Sequence, residues 1–180
     1  VKKHWNVVFN TQSTYAGHIE NILSEQLADA VDLVILIGGD GTLRELISGL
    51  RKHQVRIEIA FIPMGNANVV ARELGIPLKP RKALSMLGSS KASPIDIGIF
   101  TPENEEPMIF LAMLEIGFGA RIVHMVNKLR LGKLQRLYQF WGDLVYAIAG
   151  ILALIKADSQ PIRIQSQNTL SHSTHIIIGS

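Results

Sequence analysis

The chain has 180 residues, of which 47% are hydrophobic and 18% charged, with a formal net charge of +3 and no cysteine. A chain of this length buries roughly 70% of its unfolded surface, enough for one compact domain or two small ones. The lack of cysteine excludes disulfides, zinc thiolate sites and thiol nucleophiles and fits a reducing compartment, while the small positive charge demands no acidic partner.

WNVVFN (Trp5 to Asn10) predicts a short strand, and Ile19, Ile22, Leu23 and Leu27 then recur at helical spacing. No charged-then-apolar leader opens the chain, so a signal peptide is not expected and a cytoplasmic location is. VDLVILI (Val31 to Ile37) reads as a second strand, apolar on both faces, as a central parallel strand covered by helices on either side requires. Leu43, Leu46, Ile47 and Leu50 follow at i, i+3, i+4 and i+7, and IEIAFIP (Ile57 to Pro63) is a third strand. A helix is predicted over Ala67 to Leu74, stopped by Gly75 with Pro77 beyond, and another over Arg81 to Leu87. The first half is therefore α/β.

The pattern changes at GSSKASP (Gly88 to Pro94), which puts a domain boundary between 92 and 93. IDIGIF, a polar turn at TPENEEP and MIFLAML predict a hairpin over Ile95 to Leu114. Helical spacing resumes from Leu137 to Ile155, and PIRIQS and HIIIGS are again strand-like. The apolar run from Phe140 to Ile155 covers 16 residues and is broken by Asp143, short of the about 20 that a bilayer crossing needs, and it reads as core. Arg121, Lys128, Arg130, Lys133 and Arg136 read as a solvated helical face, or as a basic rim meeting an anionic membrane surface. The six histidines show no metal-ligand spacing.

Chemistry concentrates in two turns. LIGGDGTLRE (Leu36 to Glu45) sets three glycines and an aspartate between a buried strand and a helix, and Thr42 with Glu45 fits a capping box. At a helix N-terminus, unpaired N–H groups and the dipole favour an anion, and glycines let a phosphate approach the backbone. Asp40 beside phosphates calls for an intervening Mg²⁺ ion or an acceptor hydroxyl, hence metal coordination or general-base work; a plain turn residue is the alternative. PMGNANVVARELGIP (Pro63 to Pro77) is a second strand-to-helix junction, with Gly65, Asn66 and Asn68 at the end of the next strand; helix capping alone accounts for one of the two asparagines. Neighbouring turns at the carboxyl ends of parallel strands converge on one site.

GGDGTLRELISGL, then PMGNANVVARELGIP, IDIG (Ile95 to Gly98) and FLAMLEIGFGARIV (Phe110 to Val123), in this order, resemble the diacylglycerol kinase catalytic-domain family, in particular its bacterial lipid kinases. The resemblance spans nearly the whole chain. GGDGT alone is shared with NAD kinases, the alternative enzyme class; a non-catalytic nucleotide-binding member is the other alternative. The resemblance implies a Rossmann-like parallel-sheet nucleotide-binding domain over 1–92 and a partial β-sandwich-type domain with helices over 93–180. It implies ATP and Mg²⁺, and transfer of the γ-phosphoryl group to the hydroxyl of a diacylglycerol-like lipid met peripherally at a membrane surface, with no nucleic-acid partner. Gly38, Gly39, Asp40, Gly41 and Thr42 fall on the family's phosphate turn, with Glu45 on the helix behind it. Gly65, Asn66 and Asn68 fall on the nucleotide-contacting second turn, and Ser13, with Thr11 near it, falls on a hydroxyl lining the site. Asp40 is the catalytic and metal-binding candidate, and Gly39→Val is expected to block phosphate approach on a folded protein.

The departures from the pattern are GNAN, which exchanges a hydroxyl for an amide at Asn66, and GFGA at Gly117 to Ala120 in place of GFDA, which removes a carboxylate. The family's first strand and its acidic C-terminal motif have no counterpart, which implies a chain cut at both ends and inactive on its own as a lipid kinase, open sheet edges that favour homo-oligomers, and a general base beyond residue 180. Asp96 and Asp158 are the bases to weigh within the chain, each with an ordinary structural reading.

Overall fold

The computed structural model describes residues 5–26, 31–131, 151, 162–165, 170–173 and 176–179. They divide into two compact units between Ala112 and Met113. The change of sequence pattern lies about twenty residues earlier, because the predicted hairpin packs with the first unit.

In the first unit α1 (His18–Gln26), β1 (Leu33–Gly38), α2 (Asp40–Lys52), β2 (Glu58–Pro63), α3 (Val69–Glu73) and α4 (Pro80–Met86) follow one another, and β1 pairs with β2 in parallel, Leu33 opposite Glu58 through Gly38 opposite Pro63. The helical stripe read from the sequence is the seat of α2: Leu43, Leu46 and Leu50 are buried against Leu36 of β1 and Phe61 of β2, which are register partners, and against Val70 and Ala71 of α3. Ile47 is partly buried against the same cluster. Lys52 and Glu20 join α2 to α1 at 2.9 Å, a solvated pair that adds little stability. α3 ends as expected at Gly75 (φ +66°), where the Ile76 N–H donates to the Ala71 carbonyl at 2.8 Å and the Gly75 N–H to the Arg72 carbonyl at 3.2 Å, a Schellman closure.

Three expectations for this unit need correction. Residues 5–10 form no strand ladder among the described residues, and Trp5, Val7, Val8 and Phe9 are exposed; apolar, β-prone composition alone does not make a strand. β2 is buried on both faces over Ala60 to Pro63, with α4 against it, but β1 is covered on one face only, leaving Ile35 and Ile37 40% and 61% exposed. α3 begins at Val69 rather than Ala67, because Asn68 sits at φ +48°, ψ +47°, outside the right-handed helix.

The predicted hairpin is present: β3 (Gly98–Phe100) pairs antiparallel with β4 (Met108–Phe110) across a long loop. A Cβ on Gly98 would fall on the ring of Phe110, its register partner, so the aromatic ring covers the glycine. The strand expected over 108–114 breaks at Leu111 and Ala112. Beyond that break, in the second unit, β5 (Met113–Ile116) leads into α5 (Phe118–Leu131) and pairs antiparallel with β8 (Ile176–Gly179), while β6 (Ile162–Gln165) pairs antiparallel with β7 (Leu170–Ser173). β6 and β8 match the strand-like stretches of the sequence; β7 had no such signal. The helical spacing of 137–155 falls almost wholly outside the described residues, as do Asp158, Lys133 and Arg136. The architecture is mixed α/β with a parallel sheet. No helix among the described residues is long and apolar enough to cross a membrane.

Candidate functional site

Parallel pairing in this register carries both glycine turns to the same end of the sheet, and the ladder runs one step further, with the Met64 N–H donating to the Gly38 carbonyl at 2.7 Å. The two turns therefore lie side by side at the carboxyl ends of adjacent strands, as the sequence predicts.

The first turn is tighter than the capping box allows. α2 starts at Asp40, with Gly39 as N-cap (φ −104°, ψ −177°) and no side-chain cap, and its first ladder bond runs from the Leu43 N–H to the Gly39 carbonyl at 3.0 Å. Thr42 is thus the third residue inside the helix, and Glu45 lies a turn too late to reach back. The T-x-x-E match fails because the strand feeds the helix with almost no loop. The N–H groups of Asp40, Gly41 and Thr42 precede that first ladder bond, where a helix has donors to spare. Thr42 crowds Gly38, at which a Cβ would lie 3.0 Å from the threonine side chain. Gly41 is exposed, and a Cβ there would meet nothing within 4 Å.

The second turn is bound to the first. A Cβ on Gly65 would stand 2.6 Å from the Cα of Gly39, and one on Gly39 would stand 3.0 Å from the Cα of Gly65, so the two backbones meet where neither has a side chain. Asp40 does not project freely toward a ligand: Oδ2 accepts the Val69 N–H and Oδ1 the Val70 N–H, each at 3.0 Å. It caps α3 from 29 residues away. Asn68 is buried and turns its amide on Gly65, accepting that residue's N–H and donating to its carbonyl, both at 2.8 Å. Asn66 stands exposed between them.

The structure thus gathers Gly38, Gly39, Asp40, Gly41, Thr42, Gly65, Asn66 and Asn68 at one place, with Glu45 half-buried on α2 close by in sequence. Ser13 is exposed before α1, where its hydroxyl donates to the Tyr15 carbonyl at 3.4 Å, and no described hydrogen bond ties it to either turn. Asp96 is exposed and precedes β3. Among the described residues no group of three or more His, Asp or Glu side chains could hold a metal ion. Sequence reasoning missed the contact of Gly39 with Gly65 and the reach of Asp40 to α3; the register Gly38 opposite Pro63 brings together the two turns in which those glycines follow one and two residues later. The same contact adds a second effect to Gly39→Val, since a Cβ there would stand 3.0 Å from the Gly65 Cα and the second turn must give way to it.

The GFGA variation also has a local account. In the second unit a Cβ on Gly119 would coincide with the carboxylate of Glu115, so the space of the missing side chain is taken by a carboxylate from β5.

Two glycine turns abut at the end of a parallel sheet, one opening a helix and the other braced against it, in an α/β fold. Residues 2–100 match the diacylglycerol kinase catalytic domain, and the chain belongs to that family. Over 106 residues it is 38% identical to a Pseudomonas aeruginosa (strain UCBPP-PA14) protein named "Probable lipid kinase YegS-like", covering 59% of this chain and 33% of that protein. Over 146 residues it is 30% identical to a protein of the same name from Xanthomonas campestris pv. campestris (strain 8004), covering 79% and 45%. A solved structure from Bacillus anthracis str. Sterne, assigned to the diacylglycerol kinases, superposes with a TM-score of 0.61 at 26% identity, over 93% of this chain and 51% of that one. The chain spans about a third to a half of the length of these relatives.

Proposed function

We propose that this protein transfers the γ-phosphoryl group of ATP to a lipid hydroxyl, with a diacylglycerol-like acceptor met peripherally at the cytoplasmic face of a membrane. The observation that carries the reading is the open backbone at Gly41: spare N–H donors of the first turn of α2 and an exposed glycine with empty space above it. Phosphoryl transfer asks for little covalent chemistry from the protein and much positioning of phosphate oxygens, which is what such a turn supplies. The family match runs from residue 2 to residue 100, through the second turn, and so supports a lipid kinase over an NAD kinase that shares GGDGT alone. A β-sandwich-type arrangement of the second half belongs to the same proposal.

Mg²⁺ fits these residues in one way. Both oxygens of Asp40 already accept an N–H, so this carboxylate would meet the ion across a water, leaving the remaining positions to phosphates and solvent, the usual arrangement for this ion. When bound, the ion would neutralise phosphate charge. The chain's own part is to hold the phosphates in line and to keep their oxygens against the N–H donors of α2.

The test is Gly41→Val. The added side chain enters open space and spares the fold, yet it stands where a phosphate would approach. Calorimetry with Mg²⁺ and a non-hydrolysable ATP analogue should show binding by the wild-type chain and a loss of at least about tenfold in the variant, the scale of one hydrogen bond to a charged group. Equal affinities with unchanged circular dichroism would remove the phosphates from this turn.

A further inference from the structure

We infer that Asp40 and Asn68 are positioning residues, a two-part clasp that fixes the second turn on the first and so sets where Asn66 stands relative to Gly41. Asn68 occupies a left-handed backbone conformation that glycine would adopt at less cost. An asparagine there is explained by its side chain, both ends of which are turned on one residue: the carbonyl oxygen on the Gly65 N–H, the amide on the Gly65 carbonyl. It is the buried polar residue of the core among the described residues, and its side-chain hydrogen bonds lie within the turn. As N-cap of α3 it makes no cap bond itself. Asp40 takes over that task, one oxygen on each of two consecutive N–H groups, where a carboxylate is favoured. The helix that opens at the first turn thereby donates the cap of the helix that opens at the second. With Gly39 against Gly65, the two turns become one rigid body, and the groups left to touch a ligand are the exposed Gly41 and Asn66 and the half-buried Thr42.

The nucleotide part of the test rests on the kinase reading; the hydrogen-exchange part does not. Two isosteric variants keep side-chain volume: Asp40→Asn turns one acceptor into a donor facing an N–H, and Asn68→Asp sets a carboxylate oxygen against the Gly65 carbonyl. Without any ligand, amide exchange followed by NMR should quicken about tenfold at Val69 or Val70 in Asp40→Asn and at Gly65 in Asn68→Asp, with Phe61 and Ile62 of β2 unchanged as the control for the fold. Affinity for ATP in EDTA should then fall in Asp40→Asn, since a misplaced turn weakens binding with or without the ion. Unchanged exchange at Val69 and Val70 would overturn the clasp, as would an affinity loss confined to samples containing Mg²⁺, which would make Asp40 a metal ligand. Should the wild-type chain bind no nucleotide, the kinase reading fails and the exchange result alone decides the clasp.

Discussion

Gly65→Ala is expected to cost about 3 kcal/mol of folding stability, an unusually large loss for one added methyl group. The new Cβ would stand 2.6 Å from the Cα of Gly39 and 2.9 Å from Oδ1 of Asn68. Neither neighbour is the loose end of a flexible chain: Gly39 is backbone at the mouth of α2, and the Asn68 amide is held on both sides by Gly65 itself. Relief therefore requires the turns to separate, which combines overpacking of about 1–3 kcal/mol with the weakening of hydrogen bonds worth about 1 kcal/mol each. Urea unfolding should show a lower midpoint at an unchanged m-value. Gly41→Ala is the matched control, since its methyl meets nothing within 4 Å and removes a glycine from a helix, so its stability should equal or slightly exceed that of the wild type. If the two alanines behave alike, the close approach of the turns is not a feature of the folded protein.

Period and register made much of this fold legible. The spacing of Leu43, Leu46, Ile47 and Leu50 is a local property, and it places α2 on the sheet without knowledge of what it packs against. Two apolar runs separated by that helix predict a parallel pair, and β1 and β2 form one. What failed depended on partners distant in sequence. Residues 5–10 have the composition of a strand and lack a ladder among the described residues. The run over 108–114 is continuous in hydrophobicity, yet its halves serve different pairings, β4 with β3 and β5 with β8. Nothing in MIFLAML marks that division.

The site divides the same way. Glycines followed by a helix mark a candidate phosphate turn from sequence, because the chemistry they permit is local. Asp40 is different: its place in a candidate phosphate turn suggests a metal, while its hydrogen bonds lie with Val69 and Val70. A carboxylate's lone pairs go to whichever donors folding brings within reach, and a linear reading cannot rank a helix 29 residues away above an absent ion. Asn68 misleads for a related reason, since a surface-type residue in a polar motif suggests ligand contact until its burial is known.

Leu46→Ala is expected to destabilise the first unit by about 3 kcal/mol, within the range of about 2–5 for deleting a buried leucine. Leu46 is 1% exposed and lies in the stripe that seats α2 on Leu36 and Phe61, so the cavity it leaves is bounded by well-packed neighbours that cannot simply collapse into it. The consequence for the site follows from what α2 carries. Its first residue is Asp40, whose carboxylate caps α3, and its N-cap is Gly39, whose Cα abuts Gly65. A looser α2 should shift the first turn against the second without touching any group near the phosphates, and nucleotide affinity should fall together with stability. Ile37→Ser supplies the contrast, because Ile37 is 61% exposed on the open face of β1, one residue from the turn, and its change should stay within about 0.5 kcal/mol. Chemical denaturation of both variants, with calorimetry alongside, separates distance along the chain from mechanical coupling. A large effect from Ile37 and a small one from Leu46 would mean that the turns are positioned by the strand ends rather than by the seat of α2.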